Sequence, residues 1–286
     1  MMAEDTKSKS FVEPGVLYVV PTPIGNMADV TERARIVLAG VDLIAAEDTR
    51  NTGRLLALLG LKKPCVAYHE HNARASGVHI LAALKAGKSC ALVTDAGTPA
   101  VSDPGEQLVA DCAREGVRVV PLPGACAAVC ALSGVGLPSR RFAFEGFLPD
   151  KKGERERYLA GLRGDTHTLV FYIAPHDAQR DLADLYRALG DRRAALCREL
   201  TKRNEEILRL PLGELKDCPF TIRGEMALVV EGASPAESWE SLSVEAHVAL
   251  YVGQGMPEMD AIKAVAADRG LPKSEVYARV KIKKEE

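Results

Sequence analysis

The chain has no apolar run approaching the ~20 residues needed to cross a bilayer. Its first ten residues carry neither an apolar signal core nor a cleavage pattern. Membrane insertion and secretion are therefore not expected, and residues 1–14 read as a disordered tail. The seven cysteines form an odd set with no CxxC, which favours a reduced, cytoplasmic setting over a disulfide framework. There is no GxxxxGK[ST], and the first strand-like run is not followed by GxGxxG. That removes the phosphate cradles of NTPases and dinucleotide enzymes. Nor is there a large charge of either sign: the formal net charge is −2, which argues against a generic polyanion binder. No repeat or low-complexity segment is visible. With 286 residues, 47% apolar and 27% charged, the chain can bury a core in each of two domains.

Three proline- and glycine-marked loops stand out. They read Pro21-Thr22-Pro23-Ile24-Gly25-Asn26, then Asp95-Ala96-Gly97-Thr98-Pro99 running on to Ser102-Asp103-Pro104-Gly105, then Pro121-Leu122-Pro123-Gly124-Ala125. Each follows a short apolar run: Val16–Val20, Cys90–Val93 and Val117–Val120. Further strands are predicted over Asp42–Ala46 and Cys65–Tyr68. Helices are predicted from a capping box at Asp29-Val30-Thr31-Glu32 through Leu38, and over Arg50–Leu59, Ala75–Lys85 and Glu106–Arg114. Strands alternating with helices at this spacing imply an α/β fold with a mainly parallel sheet over residues 15–141.

Ligands of open α/β sheets bind outside the carboxyl ends of the strands, so the three loops should line one crevice. A second α/β domain is expected over 142–235, with Phe142–Asp150 as its connection. Strands at Thr168–Ile173, Ala194–Arg198, Glu206–Leu210 and Met226–Glu231, with a helix over Ala178–Leu189, predict a mixed sheet there. From 236 to 286 the chain reads as a helical extension, with Glu258–Arg269 and Ser274–Lys281 joined by Gly270-Leu271-Pro272. Between Ala261 and Lys284, seven basic residues face only Asp268 and Glu275, a net of +5.

The loops indicate a ligand class. Pro21 and Pro23 remove two amide donors where a pyrophosphate would need them. What remains is a crevice of carbonyls and small side chains edged by Asp95 and Asp103, which suits a ligand with positive character. S-adenosylmethionine, carrying a sulfonium and an ammonium, meets that description.

The runs LYVVPTPIGNMADVTERA, DLIAAEDTRNTGRLL, YHEHN, ALVTDAGTPAVSDPG, VVPLPGACAAVCALSGVGLPSRRFAFEGFLP and RGEMALVVEG resemble the tetrapyrrole-methylase superfamily. Within it they are similar to the ribosomal RNA small subunit methyltransferase I family of cytidine 2′-O-methyltransferases. The likeness spans residues of about 16 to 281 in one order. It implies two α/β domains, S-adenosylmethionine bound between them, a homodimer, and methylation of a cytidine ribose in the decoding region of 16S rRNA within the small ribosomal subunit.

Carried over by motif, Pro23, Ile24 and Gly25 belong to the first cofactor loop. Asp95, Gly97, Thr98, Pro99, Val101 and Ser102 belong to the second, and Pro123, Gly124, Cys126 and Ala127 to the third. Tyr172, Met226 and Ala227 are expected from the second domain. The family pattern FYE[SA]xHR is broken here, where Ile173 replaces the acid and Asp177 the basic residue, which puts a catalytic role for that motif in doubt.

A ribose hydroxyl needs a base. Strand ends facing the crevice offer Glu47, Asp48 and Arg50 after the second strand, and His69 after the third. Asp48 is equally a helix N-cap, and Arg50 suits an RNA phosphate. Alternation would place His69 and His71 on one face, but no third ligand stands near them for a metal. Lys273, Arg279, Lys281 and Lys283 are the candidates for RNA phosphate contacts. Two rival readings remain: a tetrapyrrole C-methyltransferase, and a ribosome-assembly factor that binds cofactor without catalysis.

Overall fold

The computed structural model describes residues 12–219, 224–234, 242–253 and 256–282. Most of the expected N-terminal tail, Lys283 and part of the expected loop before the C-terminal helices lie outside the described residues. The first lobe alternates β1 (Val16–Val19), α1 (Glu32–Gly40), β2 (Leu43–Ala46), α2 (Thr49–Leu58), β3 (Cys65–Ala67), α3 (Ala73–Lys85), β4 (Cys90–Val93), α4 (Glu106–Arg114) and β5 (Arg118–Pro121). Its strands pair in the order β3-β2-β4-β1-β5, all parallel.

A parallel sheet covered on both faces needs strands that are apolar throughout, and the central strands β1, β2 and β4 are. Tyr18, Ile44, Ala46, Ala91 and Val93 pack with Val37, Leu38 and Leu56 on one side. Leu17, Ala45, Cys90 and Leu92 pack with Ile80, Leu84 and Leu108 on the other. The cap of α1 differs from the expected capping box. Thr31 is the N-cap, its hydroxyl accepting from the Ala34 N–H at 3.0 Å. Asp29 instead ends a short 3₁₀ turn that Asn26 caps, because the polar side chain nearest the helical run takes the free amide.

The second lobe comprises α5 (Ala127–Val135), β6 (Phe142–Phe147), α6 (Lys152–Leu162), β7 (Thr168–Ile173), α7 (Ala178–Leu189), β8 (Arg193–Arg198), β9 (Glu206–Pro211), α8 (Leu212–Leu215) and β10 (Met226–Val230). The sheet is mixed, in the order β6-β7-β10-β8-β9. Phe142–Phe147, expected as a connection, is a strand pairing parallel with β7. Its alternating Phe144 and Gly146 hid it: a bulge there shifts the register, so no clean period of two is present. α5 precedes β6 in the chain yet buries Ala128, Ala131, Leu132 and Val135 on Val170, Ala195, Ala227 and Val229 of this second sheet.

Ile173 is fully buried among Leu182, Leu185 and Leu196, the face opposite Tyr172. The place of the missing acid is thus core, where a lone carboxylate would be costly. Asp177 has its own partner in Arg180, at 2.7 Å. The remaining helices, α9 (Val244–Gly253), α10 (Glu258–Arg269) and α11 (Lys273–Ile282), close around a separate small core of Val248, Ile262, Val265 and Val276.

Candidate active site in the interlobe cleft

β4, β1 and β5 are neighbours in the first sheet, so the loops that follow them meet. Backbone and hydroxyl groups bind them together. Thr22 and Gly97 exchange both backbone hydrogen bonds at 2.9 and 3.0 Å. The Thr22 hydroxyl donates to the Thr94 carbonyl at 3.0 Å, and the Thr98 hydroxyl to the Ala125 carbonyl at 2.8 Å. Gly124 lies so close to Pro21 that a Cβ there would come within 2.5 Å of the proline ring. These contacts give the loop carbonyls a structural use. The groups named are used in holding the loops to each other.

The second sheet presents its matching edge. β6, β7 and β8 run in one direction and β10 against them, so the carboxyl ends of three strands and the amino end of β10 share that edge. Between the lobes lies a cavity of about 380 Å³. From the first lobe Ile24, Ala96, Gly97, Thr98, Val101 and Asp103 line it, followed by Cys126 and Ala127 at the start of α5. From the second come Phe147, Tyr172, Cys197, Glu199, Leu200, Lys202, Glu225, Met226 and Ala227. The volume is that of a small-molecule site.

Of the residues expected to touch cofactor, Ile24, Gly97, Thr98, Val101, Cys126, Ala127, Tyr172, Met226 and Ala227 lie on the wall. Pro23, Gly25, Asp95, Pro99, Ser102, Pro123 and Gly124 do not line it. Gly25 faces the other lobe: a Cβ there would come within 2.5 Å of Lys202 Cγ and 2.9 Å of Thr201 Oγ1. Its smallness lets the first loop seat on the 199–202 loop. Sequence reasoning missed that second-lobe loop and Phe147. Phe147 ends β6 and the 199–202 loop follows β8, so the strand-end rule applied to the second lobe would have found them.

The loop conformations are strained on both sides of the cleft. Among the described residues, the non-glycine residues with left-handed backbone are Ala100 (φ 65°), Ser102 (φ 63°), Glu199 (φ 49°) and Thr201 (φ 67°). Such residues persist only where their surroundings hold them. They alternate with Val101, Asp103, Leu200 and Lys202, all on the cavity wall.

The charged groups on that wall are Asp103, Glu199, Glu225 and Lys202, and Lys202 Nζ is engaged by Glu199 at 2.8 Å. The balance is negative, which favours a cationic ligand. Partial burial pushes the Asp103 carboxyl up to about 6, helped by the charge of Glu47 and opposed by the nearby Thr94 hydroxyl. Burial also raises the Tyr172 phenol to about 12, so it stays neutral. Its oxygen accepts from the Ala128 N–H at 3.3 Å, and Phe144 and Phe147 pack edge-on against its ring.

The expected proton acceptors fare differently. Asp48 caps α2, accepting from the Arg50 N–H at 2.8 Å, and is clasped by the Arg50 guanidinium at 2.6 Å. That hydrogen bonding holds its carboxyl well below the usual range, so it is a poor base. Glu47 accepts from the Thr94 hydroxyl at 2.5 Å and the Asp95 N–H at 3.3 Å. Arg50 projects into solvent. His69 and His71 do meet, ring centroids 6.0 Å apart, but through a turn in which Asn72 Oδ1 accepts the His69 N–H. The extended alternation expected there is absent. His69 lines neither the cleft nor the cavity beside it, although its neighbours Tyr68 and Glu70 line the latter.

Residues 16–216 match the model of a family described as Tetrapyrrole (Corrin/Porphyrin) Methylases. A Bacillus subtilis (strain 168) protein named ribosomal RNA small subunit methyltransferase I is 46% identical over 277 residues, covering 94% of this chain and 95% of that one. Its namesake in Escherichia coli O157:H7 is 46% identical over 269 residues, covering 92% and 93%. The chain belongs to the tetrapyrrole methylases, in their ribosomal RNA small subunit methyltransferase I branch.

Solved structures agree on the fold. Uroporphyrin-III-C-methyltransferase from Thermus thermophilus superposes with a TM-score of 0.56 at 22% identity, over 76% of this chain and 94% of that one. Diphthine synthase does so with 0.59 at 14%, over 79% and 94%. The chain is a methyltransferase, and the cleft has the volume, the small-residue walls and the excess of carboxylates that suit a small cationic methyl donor. Among the described residues no helix is long and apolar enough to cross a membrane.

Proposed function

We propose that this enzyme transfers methyl from S-adenosylmethionine to the ribose 2′-hydroxyl of a cytidine in the decoding region of 16S rRNA, acting on the small ribosomal subunit in the cytoplasm as a homodimer. The observation that carries this reading is the extent of the likeness. The tetrapyrrole enzyme is used up by 76% of this chain, leaving about a quarter of it without counterpart, whereas the rRNA-named relative spans 94%. The family match ends at 216, and beyond it stands the three-helix module α9–α11.

That module supports an RNA-facing role. Lys273 is exposed at the start of α11. Arg279 and Lys281 lie further along the same helix, each shared with a carboxylate: Glu275 at 2.6 Å and Glu258 at 3.4 Å. Such surface pairs are weak enough for a phosphate to displace. Bound in the cleft, S-adenosylmethionine supplies an electrophilic methyl group on a sulfonium. The chain's part is to hold it: Ile24, Val101, Leu200 and Met226 exclude water, and the carboxylates of Glu199 and Glu225 favour the cation.

Fixing both reactants supplies much of the rate, up to about 7–11 kcal/mol. Labelled methyl donor incubated with undermethylated small subunits, followed by mapping of the label, tests the reading. Label on one cytidine ribose is expected. Label on a base, or on uroporphyrinogen in its place, contradicts it.

A further inference from the structure

A second cavity, of about 500 Å³, opens beside the cofactor cleft and is lined by Tyr68, Glu70, Ser102, Pro104, Glu106 and Gln107 among others. Asp103 lines both cavities and is the residue common to their walls. We propose that the acceptor nucleotide enters through this second cavity and that Asp103, standing between it and the methyl donor, takes the proton from the attacking hydroxyl. The proposal rests on the methyl-transfer reading above and names its base and its side of approach.

Three observations meet at this side chain. First, a base must reach both the hydroxyl and the space where methyl is delivered, and Asp103 borders both. Second, its aim is fixed. Left-handed Ser102 precedes it, left-handed Ala100 stands two residues further back, and the close-packed Gly105 follows, where a Cβ would come within 2.8 Å of Leu92 Cδ2. Third, its surroundings make it a stronger base than a free carboxylate. Burial is the main cause; around it stand Glu47 from the end of β2, Thr94 and Asp95 from the end of β4, and Glu225 from the start of β10.

Tyr172 on β7 and the Glu199–Lys202 pair after β8 face it across the cleft, and Glu70 and Glu106 across the second cavity. With a pKa near 6 it is mostly ionised at neutral pH, the condition for a general base. In the step, the hydroxyl oxygen bonds to the methyl carbon as the carbon–sulfur bond breaks. That bond's electron pair stays on sulfur as a neutral thioether, and the proton passes to an Asp103 carboxylate oxygen and on to solvent. The other candidates are excluded by place: Asp48 is locked to Arg50, and Glu47 and His69 line neither cavity.

The test compares the parent with Asp103→Asn and Asp103→Glu on undermethylated small subunits between pH 5 and about pH 8, with S-adenosylhomocysteine affinity measured by calorimetry. Asp103→Asn is expected to lower kcat about 10²–10⁴-fold while binding S-adenosylhomocysteine within about threefold of the parent. The parent's kcat should rise with pH through an acid limb near 6; that limb should vanish in Asp103→Asn and reappear, at reduced rate, in Asp103→Glu.

An Asn variant within about tenfold of the parent, an acid limb that persists in it, or an equal loss of S-adenosylhomocysteine affinity would each overturn the assignment. Parent turnover is the control separating the two claims. If the parent methylates no small-subunit RNA, the substrate reading falls and this assignment with it. If the parent is active, an active Asn variant removes only the base.

Discussion

At the scale of single residues, two first-lobe carboxylates, Asp103 and Asp48, have opposite fates, and the difference is environmental. Asp103 is half-buried, and this partial desolvation puts its folded-state value of about 6 above the ordinary 3.8. Its contribution to stability is therefore fully present below 3.8 and is lost as pH rises through 6. Asp103→Asn should then be more stable than the parent at pH 8, by up to about 2 kcal/mol in urea unfolding, with the gap closing in acid.

Asp48 runs the other way. Hydrogen bonds from Arg50 depress its carboxyl, so its contribution is present above 3.8 and is lost as pH falls. Asp48→Ala is expected to lower the urea midpoint at pH 7, by a margin that shrinks in acid, and to leave S-adenosylhomocysteine affinity unchanged. The sequence placed Asp103 on the crevice rim without marking it as the base. Its elevation comes first from partial burial in the folded chain and then from Glu47 and Glu225, which arrive from different strands and, for Glu225, from the other lobe. No local pattern encodes that. Asp48, by contrast, was legible as a cap because capping depends only on its position ahead of a helix.

At the scale of elements, the loops act as one assembly. Thr22, Gly97, Thr98 and Ala125 join the three first-lobe loops, and Gly25 seats them against the second lobe. Gly25→Ala should force the 199–202 loop away, since the new carbon would meet the Leu200 carbonyl at 3.1 Å as well as Lys202. The expected result is a loss of S-adenosylhomocysteine affinity of about tenfold, roughly 1.4 kcal/mol, with little change in melting temperature. Unchanged affinity would show that this seat is not needed.

The first-lobe loops were readable because a parallel sheet puts every carboxyl end on one side. The second lobe broke that rule twice. β10 is antiparallel and offers its amino end, and the bulged β6 did not look like a strand. Tyr172 and Met226 were found there because motif likeness reached them, while Phe147 and Glu199–Lys202 needed the topology.

At the scale of the molecule, the proposed function divides the work between the interlobe cleft, for the methyl donor, and the helical module beyond the family match, for RNA. Val276 belongs to the module's own core, so removing residues from Ser274 onward would unravel it. Charge reversal is the cleaner probe. Lys273→Glu with Arg279→Glu should weaken binding to small subunits and reduce its salt dependence, by a log–log slope of about 1 per lost phosphate contact. S-adenosylhomocysteine affinity should be untouched.

The central claim is that one cavity, walled by both lobes, binds the methyl donor. Calorimetric titration with S-adenosylhomocysteine tests it most directly, on the parent and on Ala96→Trp and Leu200→Trp, which fill the cavity from opposite lobes. The account predicts clean binding by the parent and a loss of about tenfold or more in both variants, each folded as judged by its melting temperature. No heat with the parent, or full affinity in either variant, would contradict it.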